Sequence, residues 1–531
     1  MGDSLTGPNR PVAVLLLGLI GTGACFRLLY LSSMPGISGD EGWWGMQALA
    51  WSSGQPYEAH TTSGNPTDLF FLVPLAFVHT LAPPSFLLLR AVPAFVNLLA
   101  LPIGFWLVRR AYGSTTAWIH TVILAILPTA IAHSRICQDP SQTVFWTGLV
   151  IYLALLGFDA PRRSWIYRLG AVVAFPVALW THPTNVFIAP FLAIPFLPAL
   201  RPRLPASRLG RAGFALAAML LVILGLSLAG TALAHLADSN PYLNKPWLAV
   251  AAARLADSAQ WYEFAANNVR LLNGLTIYHY FSGAQPPALP HDAGFVLAAV
   301  AILAGLLLVP AGRRRPLDGA LLLACAGTWL AFYAFAGPQA LRPHVERWGL
   351  CLLVPASLVA SRGLSEWIEW GPGIRRWPLA AVAVAATGLL GSFYVNYFRV
   401  FATTGGRSHL TYVTAATEPK QQALAHVLAA STGPEPVQIV AQQWWLFWPT
   451  AYLATVHPRV TVTPTLPDDR QPGLDAALDA GRLFFVEFVG TPEAARATAW
   501  IRQRDLRADR TTIRDAGGRD LLEILRVAAQ R

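Results

Sequence analysis

An adjacent pair of carboxylates, Asp40 and Glu41, follows the first long apolar run of this 531-residue chain. The segment that carries them, residues 32–66, contains no Lys or Arg, and another acid, Asp139, follows the third apolar run. Ionisable groups held close to hydrocarbon are costly and usually mark a functional cavity. Partial burial raises the pKa of a carboxyl toward the range of a general base, which is the chemistry these residues could perform.

The same residues also have simpler interpretations. Asp40 could cap a helix with Glu41 in its first turn, where the helix dipole favours negative charge. Asp139 precedes Pro140 and could cap the next helix, and Arg135 could pair with Asp139 four residues on. The residues alone leave chemistry and capping both open.

The composition defines what surrounds these residues. Hydrophobic residues make up 54% of the chain and charged residues 13%, whereas soluble proteins carry roughly a quarter charged residues. A chain this long with so few charges cannot cover itself with a solvated surface. This excludes a water-soluble multidomain enzyme and a disordered protein. It also excludes a nucleic-acid-binding protein, although the net charge is +11. We therefore predict an α-helical polytopic membrane protein.

Eleven apolar runs are long enough to be membrane-spanning helices, if the shorter ones are accommodated by tilting or thinning. They are residues 11–31, 85–108, 114–132, 141–158, 167–181, 184–200, 211–234, 293–311, 317–336, 348–360 and 378–398. A further run, 67–82, is broken by Pro74. If that run lies on the surface, most Lys and Arg fall in inner loops, as the positive-inside rule requires. Asp40 and Asp139 then share the outer face of the membrane.

The composition changes near residue 399, which predicts two domains. Residues 1–398 would form the transmembrane domain, with outer loops 32–84 and 235–292, and residues 399–531 a small α/β domain outside the membrane. We place the chain in the inner membrane, with its N-terminus in the cytoplasm and the last domain in the periplasm. In that domain we predict strands over 437–441, 459–463 and 482–488 and helices over 419–430, 474–480 and 492–504.

Two aromatic clusters are predicted to meet the membrane or the substrate. Residues 39–55 should form an amphipathic helix lying on the surface, with Trp43, Trp44 and Trp51 at the lipid interface. The tryptophan-rich stretch 444–448 could stack on a sugar, although core packing or membrane contact is the commoner use.

Several segments together resemble a known family. Gly-Asp-Glu at 39–41 looks like the acidic motif in the first outer loop of GT-C-type glycosyltransferases. The branch of protein O-mannosyltransferases and aminoarabinose transferases is the most similar, and its motifs are matched in order by 89–93, 109–113, 134–140 and 342–348.

The resemblance implies a polyprenyl-phosphate-linked sugar as donor and a glycan, lipid or protein as acceptor. It suggests Asp40 as the general base, with Glu41 or Asp139 orienting the base or the acceptor, in a single inverting displacement. Cations would neutralise the departing lipid phosphate. The candidate phosphate ligands are Arg135, Arg342, His344 and Arg347, and the candidates for lining the substrate cavity are His182, Tyr278 and His279.

The chain also departs from this branch. Gly64-Asn65-Pro66 stands where the branch often has Lys-Pro-Pro, and His182-Pro183 where it often has Lys-Gly, which leaves the donor sugar open. His182 could be a satisfied turn residue, and Arg342 and Arg347 ordinary interface anchors.

The cofactor and the function class also have alternatives. Scattered histidines without i, i+4 pairing predict no zinc site, and a divalent cation near Asp40 and Glu41 is left open. The competing functions are a transporter or flippase of lipid-linked sugar, which should place polar residues at the midplane, and a non-catalytic assembly subunit.

Overall fold

The computed structural model describes residues 10–61, 64, 66–159, 164–200, 247–286, 315–369, 376–467 and 474–529. Up to residue 404 the described chain is helical. Its α-helices are α1 Arg10–Leu28, α2 Gly39–Ser52, α3 Leu69–Leu81, α4 Phe86–Tyr112, α5 Ser114–Ile126, α6 Pro128–His133, α7 Thr143–Asp159, α8 Ser164–Thr181, α9 Leu197–Leu200, α10 Trp247–Ala256, α11 Ser258–Asn273, α12 Leu275–Ile277, α13 Pro316–Phe335, α14 Leu353–Glu369, α15 Arg376–Phe393 and α16 Val400–Thr404. Tighter 3₁₀ turns precede α7 and α14 over Asp139–Gln142 and Glu346–Leu352, and another covers Pro183–Phe196.

The chain is a multi-pass membrane protein. In its described part, six helical stretches are long and apolar enough to cross a bilayer: Phe86–Tyr112, Asp139–Phe158, Ser164–Thr181, Pro316–Phe335, Glu346–Ile368 and Leu379–Thr404. Four more apolar helices are shorter, among them Leu69–Leu81 in the run that contains Pro74. The predicted spans 211–234 and 293–311 lie outside the described residues. The total of eleven, the orientation and the boundary at residue 399 stay predictions.

Helix α2 begins where the sequence places a reciprocal cap. The Ser38 side chain accepts a hydrogen bond from the Glu41 backbone N–H, and the Glu41 carboxylate accepts one from the Ser38 backbone N–H. The predicted helix is confirmed, but two of its tryptophans are not at the lipid interface. Trp43 and Trp44 are 3% and 2% exposed, and Trp44 packs edge-on against Phe71 of α3. Contacts within the protein therefore bury these two rings.

The C-terminal region, residues 419–529, is an α/β unit around one five-stranded sheet. Its elements are α17 Pro419–Ala430, β1 Val437–Val440, α18 Trp444–Ala454, β2 Val460–Thr463, α19 Leu474–Asp479, β3 Leu483–Phe488, α20 Pro492–Gln503, β4 Arg507–Arg514 and β5 Asp520–Ala528. The strand order is β2-β1-β3-β5-β4, with β1 parallel to β2 and β3, and β5 antiparallel to β3 and β4. The three predicted strands and three predicted helices are confirmed; α18, β4 and β5 were not predicted.

Helices α2 and α18 pack unusually closely because α2 presents a glycine at every third position. A Cβ added to Gly39 would lie 2.4 Å from the Trp444 ring, and one on Gly42 would lie 2.4 Å from the Pro449 backbone nitrogen. A Cβ on Gly45 would lie 2.6 Å from Tyr452. Only glycine permits this approach. The C-terminal region is therefore docked directly on the helix that carries Asp40 and Glu41.

Candidate active site

Asp40 lies in the first turn of α2, half-buried, with a hydrogen bond on each carboxylate oxygen. Trp444 Nε1 donates to Oδ1 at 2.9 Å, and Gln138 Nε2 donates to Oδ2 at 3.2 Å. Burial raises the pKa of the Asp40 carboxyl, while the Trp444 hydrogen bond and the nearby Arg347 charge oppose that rise. The carboxylate is thus both fixed in position and shifted toward the basicity of a proton acceptor.

Glu41, its neighbour, is fully buried, and both of its carboxylate oxygens accept hydrogen bonds. Arg90 of α4 donates to both of its carboxylate oxygens at 2.7 Å, and neither side chain is exposed. The backbone N–H groups of Ser38 and Cys137 donate to the same carboxylate at 2.9 Å. Arg90 also donates to the Pro35 carbonyl oxygen at 2.8 Å. Glu41 therefore joins α2, α4 and the segment before Asp139, which fixes the helix that carries Asp40.

We expect Glu41→Gln to lower stability, because it leaves the buried Arg90 charge without its counter-ion. Breaking one partner of such a pair costs about 3 kcal/mol or more. The thermal midpoint of the detergent-solubilised protein should therefore fall by several degrees. The double variant Glu41→Leu/Arg90→Met should recover part of the loss, since it removes both charges. An unchanged midpoint for Glu41→Gln would contradict a structural role for the pair.

Asp139 belongs to the same cluster as Asp40. It starts the 3₁₀ turn before α7, directly after the Gln138 that bonds Asp40, and it is half-buried. Asp40, Asp68 and Arg347 are all close enough to interact with it electrostatically. Its carboxylate makes no side-chain hydrogen bond or ion pair with any residue in the described ranges. The two acids predicted to meet in one pocket are therefore neighbours in the structure.

Asp68 adds a third acid to this cluster. It caps α3 by accepting a hydrogen bond from the Phe70 backbone N–H at 2.8 Å. Burial raises the pKa of Asp68 to about 7, and the hydrogen bond that it accepts from the backbone of α3 opposes the rise. The sequence interpretation did not single out this residue.

Of the four predicted phosphate ligands, Arg347 alone is both near Asp40 and unengaged. Its half-buried guanidinium lies within electrostatic range of Asp40, Tyr280 and Glu346. Among the residues that the structure describes, it has no hydrogen bond or ion pair. Arg342, by contrast, is exposed and pairs with Glu263 at 2.6 Å.

The other two predicted ligands are placed differently. Arg135 is fully buried and donates to the backbone carbonyls of Phe26, Leu29 and Met34 at 2.5, 2.5 and 2.8 Å. Burial lowers the pKa of Arg135 to about 10. Because both terminal nitrogens of Arg135 donate to backbone carbonyls in and just beyond α1, we do not assign it to the phosphate. His344 is exposed and meets the ring of Tyr280 at 4.7 Å.

Of the three predicted cavity residues, only His182 lies near Arg347. His182 caps the Pro183–Phe196 turn, with Nδ1 2.6 Å from the Thr184 hydroxyl. Burial lowers the pKa of His182 to about 3, with the Arg347 charge contributing, so the ring is neutral at pH 7 and close to Arg347. Tyr278 is fully buried among helices, and His279 is exposed at the surface, so neither is placed as a cavity residue.

Tyr280, two residues after Tyr278, belongs to the cluster. Its hydroxyl is 2.8 Å from that of Tyr412. Burial raises the pKa of Tyr280 to about 12, with Glu346 contributing and the Tyr412 hydrogen bond opposing. It lies within electrostatic range of both Asp40 and Arg347, so it is a neutral hydroxyl beside them.

The sequence leaves open a divalent cation near Asp40 and Glu41. Within the part of the chain that the structure describes, no three His, Cys, Asp or Glu side chains lie close enough together to hold one. Glu41, one of the two acids considered as ligands, is taken up by Arg90.

Two solved structures share the overall fold of this chain. ArnT from Cupriavidus metallidurans bound to undecaprenyl phosphate aligns over 96% of this chain and 97% of its own, at 14% identity and a TM-score of 0.53. The archaeal oligosaccharyltransferase AglB from Archaeoglobus fulgidus, in complex with an inhibitory peptide and a dolichol-phosphate, aligns over 90% of this chain and 69% of its own, at 12% identity and a TM-score of 0.50. The chain has the GT-C fold. No protein-family model and no curated relative matches its sequence.

The GT-C fold confirms the resemblance drawn from the motifs. Sequence identity this low establishes architecture and leaves chemistry to be argued from the site. In this GT-C chain the cluster combines the tip of α2, the turn before α7 and the turn before α14. Helix α18 of the C-terminal region adds the hydrogen bond from Trp444 to Asp40.

Proposed function

We propose that this protein is a glycosyltransferase that moves a sugar from a polyprenyl-phosphate carrier to an acceptor at the membrane surface. The observation that carries the proposal is the Arg347 guanidinium, which has no hydrogen bond or ion pair among the described residues, beside the fixed, half-buried carboxylate of Asp40. A cation for a leaving phosphate and a base for an incoming hydroxyl are the two groups that such a transfer needs.

In the proposed reaction the acceptor hydroxyl oxygen attacks the anomeric carbon of the donor sugar. Asp40 accepts the hydroxyl proton, and the bond between the anomeric carbon and the phosphate oxygen breaks. The lipid phosphate leaves with both electrons of that bond, and Arg347 neutralises its charge. One displacement inverts the anomeric centre. The reaction consumes one acceptor and one donor and yields the glycoside and the polyprenyl phosphate.

The remaining acids are assigned supporting roles. Asp139 lies near Asp40 and Arg347 and makes no side-chain hydrogen bond within the described part of the chain, so we assign it to orienting the acceptor hydroxyl. Glu41 is a positioning residue, because its contacts with Arg90 hold α2 and through it Asp40. His344, which is exposed and contacts the Tyr280 ring, is proposed to lie at the rim of the donor site, and Arg342 is left in its exposed pair with Glu263.

The polyprenyl chain needs an apolar surface that reaches the phosphate site. A groove of about 370 Å³ is lined by Leu69, Phe70, Val73, Pro74 and Trp146. It begins one residue after Asp68, which is itself in electrostatic contact with Asp139. Phe70 also meets Trp180 of α8 edge-on at 6.2 Å. We assign this groove between α3, α7 and α8 to the lipid tail.

The proposal is tested by turnover with the purified protein in detergent or nanodiscs. The donor is an undecaprenyl-phosphate sugar with radiolabelled sugar, and the acceptors are a panel of membrane lipid, glycan and peptide fractions. We expect label in an acceptor and release of undecaprenyl phosphate in equal amount. Movement of intact donor across a sealed bilayer without release of the phosphate would instead identify a flippase.

A further inference from the structure

The hydrogen bond between Trp444 and Asp40 connects two parts of the chain that are 404 residues apart. Trp444 is the first residue of α18, and its indole N–H is directed at Asp40 Oδ1 at 2.9 Å. A tryptophan side chain has one hydrogen-bond donor and no acceptor. Here that donor is used on the carboxylate that we propose as the base.

Close packing of α18 on α2 fixes the position of Trp444 beside Asp40. Gly39 precedes Asp40, and a Cβ there would lie 2.4 Å from the Trp444 ring. One turn on, Gly42 allows the backbone of α18 to approach α2 at Pro449. The other end of α18 is anchored to the membrane part through Tyr452. Its hydroxyl accepts from the Ser85 backbone N–H at 3.0 Å and lies 2.8 Å from His79 Nε2.

The segment just before the C-terminal region also contacts the start of α2. The Gly36 backbone N–H donates to the Tyr412 carbonyl at 2.8 Å, and the Thr411 hydroxyl donates to the Ile37 carbonyl at 3.1 Å. Glu418, which caps α17, accepts from the Ile37 backbone N–H at 3.3 Å. These bonds flank the start of α2, so the position of Trp444 is fixed from both sides of Asp40.

We infer that Trp444 is a positioning residue for the reaction, and that the C-terminal region completes the active site through α18. With Gln138 on the other oxygen, Trp444 fixes the plane of the Asp40 carboxylate. A fixed carboxylate presents its free lone pairs to the acceptor in one geometry, which shortens the search for a productive arrangement. This inference rests on the proposed function, since it needs Asp40 to be the base.

A hydrogen bond donated to a carboxylate favours its charged form and lowers its pKa. Losing the donor of Trp444 should therefore raise the pKa of Asp40 further. The other titratable groups that face Asp40 are Glu41, whose charge is matched by Arg90, then Arg347 and Asp139, and the neutral hydroxyls of Tyr280 and Tyr412. None of these changes when Trp444 is replaced.

The test is Trp444→Phe in the full chain, with Trp448→Phe as the matched control. Trp448 lies one turn further along α18, and its indole N–H has no hydrogen-bond partner among the described residues. We expect Trp444→Phe to lower kcat for sugar transfer about tenfold, the usual worth of a hydrogen bond to a charged group. The acidic limb of kcat against pH should move up by as much as about one unit. Trp448→Phe should show neither change.

A second variant keeps the inference testable if Trp444→Phe does not fold. Gly42→Ala retains every hydrogen-bonding group but forces α18 away from α2, so it should move the pH limb in the same direction. Gly21→Ala in α1, whose added Cβ would meet nothing within 4 Å, is its control.

The outcomes separate the two proposals. Suppose that Trp444→Phe and Gly42→Ala behave like their controls at every pH while Asp40→Asn is inactive. The positioning role of Trp444 is then wrong, and the assignment of Asp40 as the base stands. If Asp40→Asn is active, the proposed base fails and the inference fails with it.

Discussion

Replacing Asp40 by Asn should abolish sugar transfer, with kcat lower by about 10²–10⁴-fold, the usual contribution of a general base. Asparagine keeps the size of the side chain and an oxygen that can accept the Trp444 hydrogen bond. It cannot take a proton from the acceptor hydroxyl. We therefore expect the loss in kcat, while KM for the polyprenyl-phosphate sugar changes little. The measurement is transfer of labelled sugar over a range of donor concentrations.

The matched control is Glu58→Gln. Glu58 is an exposed carboxylate in the segment between α2 and α3, and its backbone N–H, not its carboxylate, bonds Gln47. The substitution removes the same charge from the same part of the chain without touching the cluster. Turnover of Asp40→Asn within about threefold of Glu58→Gln would remove Asp40 from the base role, because a general base contributes far more than that.

Replacing Arg347 by Gln should weaken transfer by about 100-fold in kcat/KM, since removing one preorganised group that stabilises developing charge has an effect of this order. The guanidinium is half-buried and unengaged in the described structure, so nothing else there competes for it. Inhibition by free undecaprenyl phosphate should weaken in parallel, because the same cation would bind the product. The measurement is initial rate against donor and against added lipid phosphate.

Arg342→Gln is the natural control for Arg347. The two arginines lie five positions apart, but Arg342 is exposed and already paired with Glu263. An exposed pair is worth about 0–1 kcal/mol, so we expect only a small change in kcat/KM. If the two variants lose activity equally, or only Arg342→Gln does, Arg347 is not the phosphate ligand.

Part of this arrangement could be predicted from local sequence. The sequence predicts the helix over 39–55, although it offers Asp40 as the cap where the structure uses Ser38, and the Val-, Ile- and Phe-rich runs predict β1 and β3. Strand β4 was missed because it is a polar edge strand, Arg507–Arg514, with few apolar residues to mark it. Strand β5 was missed because both of its faces are buried, so no alternation is visible.

The site was predictable only where its residues follow apolar runs. Asp40 and Asp139 could be found that way, since both lie just beyond such runs and on the same predicted face. Trp444 could not, because its bond to Asp40 spans 404 residues and depends on how α18 docks. The one local signal was the glycine spacing at 39, 42 and 45, which indicates a close helix neighbour but does not identify it.

The sequence also could not show which arginine has its donors free. Arg135 and Arg347 both lie beside a candidate acid or motif, and sequence gives no reason to separate them. Tertiary packing directs the Arg135 donors to backbone carbonyls at the end of α1 and leaves those of Arg347 free among the described residues.

The most direct test of the proposed site is an experimental structure of the full chain with undecaprenyl phosphate. We expect the phosphate oxygens within hydrogen-bond distance of the Arg347 guanidinium, in the same pocket as the carboxylates of Asp40 and Asp139, with the isoprenoid chain along the groove at Phe70 and Trp146. A phosphate bound away from Arg347, or at the opposite membrane surface from Asp40, would contradict the account.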